Sequence, residues 1–319
     1  MNNNILVTGA AGFIGYHLSK SLLEDGFNVV GLDNLNNYYD VSLKNNRLNQ
    51  IINHKNFIFE EVDISKRQDL ESLFSKFDIK KVVNLAAQPG VRYSIDNPYA
   101  YMDSNLVGFL NIIECCRHND VEGFIYASSS SVYGNNKKVP FSVEDRTDNP
   151  ISFYAATKNA NELMAKTYSH LYNLHTTGLR FFTVYGPWGR PDMAYYKFTQ
   201  NIINNKPIIV FNNGKMNRDF TYIDDIIFGL RSAIDKNYKC EIFNLGNSKS
   251  ENLIEFINLI ERELGLKANI KFQSIQPGDV KDTFAEISKS NKMLSYIPST
   301  NIDKGIKEFV NWYKSYHSK

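Results

Sequence analysis

The stretch Ile5-Leu-Val-Thr-Gly-Ala-Ala-Gly-Phe-Ile-Gly15 joins a short apolar run to glycines spaced as GxxGxxG. Ile5–Thr8 is predicted to be a buried strand, and Gly12–Glu24 a helix. Glycines at such a junction let the backbone turn sharply and approach a pyrophosphate, which the free amides of the helix N-terminus can bind. The stretch therefore predicts the first unit of a dinucleotide-binding fold. The alternative is a tight turn with no ligand.

Strand-like and helical patterns alternate through the first half of the chain. This rhythm indicates parallel strands with helices on both faces, and right-handed crossovers then give a doubly wound, Rossmann-type α/β sheet. The further predicted strands are Asn28–Leu32, Phe57–Val62, Lys80–Leu85, Gly123–Ala127 and His175–Phe181, and the further helices are Gln68–Lys76, Tyr99–His118 and Phe153–Tyr172.

The second half is less regular and predicts a smaller, mixed α/β substrate domain. Its patterns include a strand at Pro207–Phe211 and a helix at Asn252–Leu264 that ends at Gly265. We expect residues 1–180 to form the NAD-binding domain, with 221–248 packing back onto it, and 181–319 to form the second lobe. A ligand cleft is expected between the two lobes.

Composition excludes several classes of protein. The 319 residues include 36 Lys+Arg against 34 Asp+Glu, a net charge of +2 that does not fit a nucleic-acid coat or an anionic membrane surface. A hydrophobic content of 43% is ordinary for a folded globular protein. No apolar run approaches the roughly 18 residues of a membrane span, and the N-terminus does not resemble a secretory signal.

The cysteines and histidines predict neither disulfides nor a metal site. Cys115 and Cys116 are adjacent and Cys240 is distant, which is not a disulfide framework, so a cytoplasmic location is expected. The cysteines and the six histidines lack metal-ligand spacing, and no metal is predicted.

The remaining cofactor contacts are expected where the later strands end. Asp33 lies 18 residues after Gly15, where a carboxylate can hold the adenosine ribose and repel a 2′-phosphate, so NAD is favoured over NADP. Small residues at the end of the fourth strand would let the backbone approach the cofactor, although sheet–helix packing explains them equally well. The full set of expected cofactor-binding residues is Gly9, Gly12, Phe13, Ile14, Gly15, Asp33, Asn34, Asp63, Ile64, Leu85, Ala86 and Ala87, together with Tyr154 and Lys158.

Tyr154 and Lys158 are spaced so that both side chains project from one helix face. A nearby ammonium and an oxidised nicotinamide would lower the phenol pKa from about 10, so that Tyr154 could act as a base. Lys158 would also bridge to the nicotinamide ribose. The alternative is a surface helix pair, which the glycine loop makes less favoured.

Four serines, Ser128–Ser131, follow the fifth predicted strand. Strand carboxyl ends face the ligand crevice of a doubly wound sheet, so one hydroxyl can bond the substrate oxygen that Tyr154 deprotonates. Ser129 is favoured, then Ser130. Turn formation explains the others, and no GxSxG motif indicates a hydrolase.

These motifs resemble the extended short-chain dehydrogenase/reductase superfamily, from Gly9 to about Trp312. Within it, the chain resembles bacterial UDP-glucuronate 4-epimerases of capsule pathways. The stretches that carry this closer resemblance are Gly31-Leu-Asp-Asn-Leu-Asn-Asn-Tyr-Tyr-Asp40, Gln88-Pro-Gly-Val-Arg-Tyr-Ser94, Leu179-Arg-Phe-Phe-Thr-Val-Tyr-Gly-Pro-Trp-Gly-Arg-Pro-Asp-Met193, Arg218-Asp-Phe-Thr-Tyr-Ile-Asp-Asp225 and Gln276-Pro-Gly-Asp279.

The resemblance implies tightly held NAD and a UDP-sugar substrate. It implies Tyr154 as base, Lys158 as its electrostatic partner and Ser129 as hydroxyl partner, with Ser130 as a second substrate contact. Arg218 and Asp279 would bind the UDP pyrophosphate and ribose, since a guanidinium fork matches phosphate oxygens and a carboxylate accepts ribose hydroxyls. An ion pair with Asp219 or Asp224 is the alternative for Arg218. Thr183 and Arg190 would hold the sugar carboxylate, and Arg92 is either a further contact or a surface residue.

The resemblance also implies a homodimer that forms through helices Tyr99–His118 and Phe153–Tyr172. The chain departs from the family at Asn84, where many relatives have His, and at Pro89, where this subgroup often has Ala. Other reactions stay open: 4-epimerisation of UDP-glucose/galactose or of UDP-N-acetylhexosamines, decarboxylation, or a catalytically silent NAD-binding sensor or scaffold. A 4,6-dehydratase is disfavoured because Ser130-Ser131 stands where such enzymes carry Asp-Glu.

Overall fold

A computed structural model describes residues 4–274 and 282–318. In these ranges the strands are β1 (Asn4–Thr8), β2 (Asn28–Asp33), β3 (Phe57–Glu61), β4 (Ile79–Asn84), β5 (Gly123–Ser129), β6 (Thr176–Phe181), β7 (Thr183–Tyr185), β8 (Ile208–Phe211), β9 (Asn217–Arg218), β10 (Phe220–Tyr222), β11 (Cys240–Leu245), β12 (Glu251–Asn252), β13 (Ile270–Gln273) and β14 (Asp282–Thr283). The α-helices there are α1 (Phe13–Glu24), α2 (Val41–Leu48), α3 (Arg67–Lys76), α4 (Tyr93–Asp96), α5 (Pro98–Tyr101), α6 (Gly108–His118), α7 (Phe153–Tyr172), α8 (Ala194–Ile203), α9 (Ile223–Lys236), α10 (Leu253–Leu264), α11 (Ser288–Leu294) and α12 (Ile302–His317).

A parallel sheet of seven strands within the described residues has the order β11-β6-β5-β4-β1-β2-β3. The chain runs outward from β1 through β2 to β3, then returns across to β4 and continues the other way. The crevice for a ligand in such a sheet lies beyond the carboxyl ends of the strands at this reversal, here between β1 and β4. The predicted doubly wound α/β fold is confirmed.

Residues that alternate along the strands bury opposite faces of the sheet. Leu6 and Val30 belong to an apolar cluster with Ile112 of α6, whereas Ile5 and Val29 belong to the cluster on the other face. This period of two is what a pleated strand imposes when both of its faces are covered.

Residues from the C-terminal half complete the sheet and form a second group of small sheets and helices, to which we give the name second lobe. β11 pairs with β6 over Cys240–Leu245, so residues within 221–248 join the first-half sheet. The remaining strands form small sheets, β10-β7, β12-β9-β14 and β13-β8, beside α8, α10 and α12. Tyr195, Phe309 and Trp312 form part of the aromatic core of this lobe.

Two features of the first half were not predicted. The helix α2 has no strong apolar periodicity and begins at Asp40, whose carboxylate accepts from the Ser42 N–H at 2.9 Å. The predicted helix Tyr99–His118 is interrupted by a π-helical segment at Met102–Val107. The polar turn Gln276–Asp279 lies outside the described residues. Across 4–274 and 282–318, none of the helices has the length and apolar character needed to cross a membrane.

Candidate functional site

A cleft opens at the reversal of strand order. Most of the residues predicted to bind the cofactor or to carry the chemistry line it together. From those predictions it is lined by Gly9, Gly12, Phe13, Ile14, Gly15, Asp33, Asn34, Ile64, Leu85, Ala86, Ala87, Ser129, Tyr154, Lys158 and Arg190.

The glycine loop leaves no room for larger side chains. Gly9 has φ +69°, and a Cβ atom there would lie 2.9 Å from the Ala86 nitrogen. A Cβ at Gly15 would lie only 2.1 Å from the Gly9 carbonyl oxygen. The loop is therefore a backbone cradle that leads into the N-terminus of α1, where amide donors and the helix dipole favour an anionic group.

Asp33 lies at the end of β2 with its carboxylate already engaged. It accepts from the Ala11 N–H at 3.2 Å and from the Leu35 N–H at 2.9 Å, and Lys44 Nζ lies 3.6 Å away. Asp33 and Lys44 are both buried. Burial lowers the pKa of Lys44, while the Asp33 charge acts in the opposite direction. The repulsion of a 2′-phosphate, argued from Asp33 alone, is therefore weakened by a neighbouring cation that sequence analysis missed.

Hydrogen bonds also join residues at the carboxyl ends of β1, β3 and β4. Asn34 donates from Nδ2 to Asp63 at 2.9 Å, so Asp63 binds a residue that lines the cleft although it does not line the cleft itself. At the end of β4, the Thr8 hydroxyl donates to the buried Asn84 amide oxygen at 2.6 Å and accepts from the Ala86 N–H at 3.0 Å. Asn84 thus holds β1 to β4 directly below the cleft.

Tyr154 and Lys158 face the cleft from the first turns of α7. The helix begins at Ser152, whose hydroxyl accepts from the Ala155 N–H at 3.1 Å. Lys158 is buried, donates to the Ala127 carbonyl at 2.8 Å, and holds its Nζ 5.9 Å from the centre of the Tyr154 ring. Tyr154 is half-buried, and the Tyr101 ring meets it edge-on.

The electrostatics differ from the expectation. Burial raises the pKa of Tyr154, although a hydrogen bond with Ser129 and the positive charge of Arg190 both act to lower it. The expected net lowering is therefore wrong for the protein's own groups, because the phenolate loses more solvation than these neighbours restore. Burial lowers the pKa of Lys158 to about 8, opposed in part by Glu162.

The serines have distinct partners. Ser128 donates to the Glu162 carboxylate at 2.5 Å, and Glu162 also forms a bidentate ion pair with Arg180, with all three residues buried. Ser129 accepts from both the N–H and the hydroxyl of Ser131, at 3.1 and 2.9 Å, so its own hydroxyl proton is directed to the hydrogen bond with Tyr154 in the cleft. Ser130 begins a 3₁₀ turn and does not line the cleft.

The residues expected to bind the sugar nucleotide are less concentrated. Arg190 lines the cleft, but Asp192 binds its guanidinium through two hydrogen bonds, one from Nε at 3.0 Å. Among the described residues, the cleft lining does not extend to Arg92, Thr183 or Arg218.

The positions of these three residues are set by the second lobe. Arg92 lies over the Phe211 ring at 4.3 Å, Arg218 donates to the Asn217 carbonyl at 2.9 Å, and the Thr183 N–H donates to the Asp219 carbonyl at 3.1 Å. The predicted Asp279 lies outside the described residues. Within residues 4–274 and 282–318, no group of His, Cys, Asp or Glu side chains could hold a metal ion.

Sequence reasoning missed several residues around the cleft. Asn105, in the π-helical segment, accepts from the Gln88 N–H at 2.8 Å and donates to the Thr157 hydroxyl at 3.1 Å. A π-helical turn often marks a functional site, but its presence here has no signal in the apolar pattern. Asp192 could have been suspected from its position two residues after Arg190.

Comparison with protein families decides the classification. The model of the NAD dependent epimerase/dehydratase family matches residues 5–246. The chain belongs to this family. The glycine loop, Asp33, Tyr154 and Lys158 all lie within the matched region.

The chain is also similar to named proteins and to a solved structure. The chain is 47% identical to UDP-glucuronate 4-epimerase 4 of Arabidopsis thaliana, covering 99% of this chain and 77% of the relative. It is 50% identical to Protein CapI of Staphylococcus aureus, covering 99% of each. The crystal structure of UDP-glucuronic acid 4-epimerase from Bacillus cereus, in complex with UDP-glucuronic acid and NAD, matches with a TM-score of 0.93 and 35% identity over 98% of this chain and 99% of that one.

Proposed function

We propose that the protein is an isomerase that inverts C4 of a UDP-sugar with bound NAD, and that the sugar is UDP-glucuronate, which becomes UDP-galacturonate. The observation that carries the proposal is that Tyr154, Lys158 and Ser129 line the same cleft as the glycine loop and Asp33. Identity of 47% to a UDP-glucuronate 4-epimerase over nearly the whole chain supports this choice of substrate.

The residues of the cleft fit a dinucleotide. The turn can close this tightly only because Gly9, Gly12 and Gly15 have no Cβ that would meet neighbouring backbone, and the α1 N-terminus offers an anion backbone donors. Asp33 and Asn34 would hold the adenosine end, and Lys158 the nicotinamide ribose. When bound, NAD supplies reversible hydride acceptance at sugar C4, and it is restored in each cycle, so it acts as a prosthetic group.

Two side chains of the protein, Tyr154 and Ser129, would carry out the proton transfer at the C4 hydroxyl. Tyr154 would take the proton of the C4 hydroxyl, and Ser129, which hydrogen-bonds Tyr154 in the protein alone, would donate to the same sugar oxygen when the substrate is bound. Burial makes the Tyr154 phenol a weak acid in the protein alone. An oxidised nicotinamide held in the cleft would add a positive charge that favours the phenolate, as the Arg190 charge does.

A uronate substrate adds a hazard that the second lobe would control. The 4-keto intermediate is a β-keto acid, and it loses carbon dioxide when the bond to its carboxylate aligns with the carbonyl π system. Arg190 and Thr183 would hold the carboxylate in another orientation. Because Asp192 already occupies part of the Arg190 fork, the carboxylate would meet an ordered but partly neutralised guanidinium.

The test is incubation of the pure protein with a panel of UDP-sugars, without added NAD, followed by mass and NMR analysis of the products. UDP-galacturonate formed from UDP-glucuronate is the expected result, with Tyr154→Phe as the inactive control. Turnover of only UDP-glucose or a UDP-N-acetylhexosamine would instead identify the rival epimerases, and UDP-pentose a decarboxylase. Neither product nor NADH from any sugar would favour a silent NAD-binding protein.

We also propose that the enzyme is a homodimer. Exposed apolar side chains lie on the two helical segments expected at the interface, including Tyr99 and Leu110 on one and Leu163 and Leu171 on the other, with Tyr99 78% and Leu163 67% exposed. Helices α6 and α7 pack side by side, so a second copy could bury both faces through a twofold axis. Leu163→Arg should give a monomer in light scattering after gel filtration, and an unchanged mass would contradict this interface.

A cytoplasmic location is proposed as well. Cys115, Cys116 and Cys240 are all free thiols, which suits a reducing compartment. The proposed uronate product and the similarity to Protein CapI suit a role in capsule polysaccharide biosynthesis.

A further inference from the structure

Arg47 is a fully buried arginine to which the proposed reaction assigns no role. It lies on α2 with none of its surface exposed, and within the described residues all of its hydrogen bonds go to uncharged oxygen atoms. Removing a guanidinium from water is costly unless its donors are satisfied. Five hydrogen bonds of ordinary length therefore stabilise the buried charge of Arg47. Their number raises the question of what this buried cation does for the protein.

The five bonds join three separate parts of the cleft. Nη1 donates to the Ala11 carbonyl of the glycine loop at 3.0 Å and to the Tyr39 hydroxyl at 2.8 Å. Nε and Nη2 donate to the Trp188 carbonyl at 3.0 and 2.7 Å, and Nη2 also donates to the Gly189 carbonyl at 3.1 Å. One side chain thus binds the cofactor cradle, the segment after β2, and the segment of the second lobe that carries Arg190.

The segment 34–48, which we name the strap, forms one wall of the cleft. Asn34, Asn36, Tyr38, Tyr39 and Lys44 of the strap all line it. From the second lobe, Arg190 and Met193 also line it. The Tyr38 hydroxyl also donates to Asp192 at 3.4 Å, which gives the strap a second, weaker contact with that lobe.

The backbone is strained at two places, at the start of the strap and at the segment of the second lobe that Arg47 binds. Trp188 has φ +61°, and Leu35, at the start of the strap, has φ +48°. Bulky residues rarely adopt this left-handed region unless surrounding contacts hold them there. Two of the Arg47 hydrogen bonds act on the Trp188 carbonyl itself, so Arg47 holds the strained turn in place.

We propose that Arg47 is a positioning residue that fastens the strap to both lobes and so governs how fast NAD leaves the cleft. The inference rests on the proposed binding of NAD at this site. The walls cannot separate without breaking the hydrogen bonds of a buried cation, and a thioether in its place could not make them. Arg47 acts through the strap and needs no contact with the cofactor.

The test compares Arg47→Met with Arg231→Met. Arg231 is the matched control because it is another arginine that joins distant parts of the chain away from the cleft. It connects α9 to the C-terminal end of α1 through the Ser21 carbonyl at 3.0 Å and an ion pair with Asp25. NAD content after gel filtration is measured by chromatography of the heat-denatured protein. Release is followed as NADH formed when alcohol dehydrogenase and ethanol trap the free NAD.

Arg47→Met is expected to release NAD at least tenfold faster than the wild type and to recover epimerase activity when NAD is added. Arg231→Met is expected to retain NAD like the wild type even if both variants lose thermal stability. Equal release from Arg47→Met and the wild type would overturn the proposal.

Two milder variants keep the test decisive if Arg47→Met does not fold. Arg47→Lys and Tyr39→Phe each remove some of the five hydrogen bonds. Both variants are expected to release NAD faster than the wild type, and more slowly than a variant such as Arg47→Met that removes all five. Wild-type release rates in both would overturn the proposal. The readout uses no sugar, so a wild type that holds NAD but converts no UDP-sugar would refute the proposed function and leave this inference standing.

Discussion

The sheet side of the cleft is built largely from backbone and small residues, whereas the second lobe contributes apolar side chains and one charged group, Arg190, which already has a partner. The glycine loop, Ala86 and Ala87 form the first side. On the second side, called the charged side for this residue, the Arg190 guanidinium is paired with Asp192. The difference suggests that the cofactor is bound through its steric fit to the backbone, whereas the sugar is selected by the Arg190–Asp192 ion pair.

The largest expected effect would separate catalysis from binding on the sheet side. Tyr154→Phe removes the proton acceptor but keeps the ring that packs on Tyr101, and kcat should fall by about 10³-fold. NAD content should stay at the wild-type level, since the backbone cradle is untouched. Stopped assays with NMR detection measure the first quantity, and a loss of NAD together with activity would show that the two functions are not separable.

A substitution in the glycine loop is expected to weaken NAD binding, which Tyr154→Phe should leave unchanged. Gly15→Ala places a Cβ 2.1 Å from the Gly9 carbonyl, so the loop must open, and NAD affinity should fall by about 10²-fold, equivalent to about 2.7 kcal/mol. Gly265→Ala is the control, because Gly265 ends α10 with φ +70° in open space. It should cost about 1 kcal/mol of stability without loss of NAD. Calorimetric titration with NAD measures the affinities, and equal affinities in the two variants would contradict a shape-based site.

On the charged side, the expected effect is on product identity. Arg190→Met should raise the ratio of decarboxylated UDP-pentose to epimer by about tenfold, a change of about 1.4 kcal/mol in the partition of the 4-keto sugar. Asp192→Asn is the partner variant, since it frees the fork without removing the cation, and its ratio should not rise. Product analysis that shows an unchanged partition in Arg190→Met would falsify the role of that residue.

The smallest expected effect comes from pH. The pKa of Lys158 is lowered to about 8 by burial, so its charge is present at pH 7 and is lost as pH rises through 8. From pH 7 to pH 8.5 the protonated fraction, and with it kcat at saturating substrate, should fall about fourfold. Ionisation of the Tyr154 phenol would instead raise the rate with pH. A rate that is flat or rising over this range would show that the Lys158 charge is dispensable.

The same contrast explains which parts of the molecule could be predicted from the sequence. The glycine loop, Asp33, Tyr154 and Lys158 were found because each depends on local spacing next to a periodic strand or helix. Arg47 and Lys44 were missed because α2 has no clear apolar face, and three of the four partners of Arg47 lie 36, 141 and 142 positions away in the sequence. Such contacts are set by tertiary packing, and no local pattern records them.

The charged side was harder still to predict. The elements that carry Thr183 and Arg218 are strands of only two or three residues, too short for periodicity to register. The pairing of Arg190 with Asp192 was open to inspection, but their closeness alone could not show whether the guanidinium was engaged. The direction of the Tyr154 pKa depends on burial, which a single sequence does not contain.

The position of β11 has a consequence for biosynthesis. The strand at Cys240–Leu245 hydrogen-bonds along the outer edge of β6, so a growing chain on the ribosome cannot finish its first domain until some 245 residues have been translated. Until then β6 presents a bare edge, the kind of surface on which nascent polypeptides associate wrongly. Quality control of this protein should therefore concentrate on a late stage of synthesis, when the second lobe emerges and seals the first.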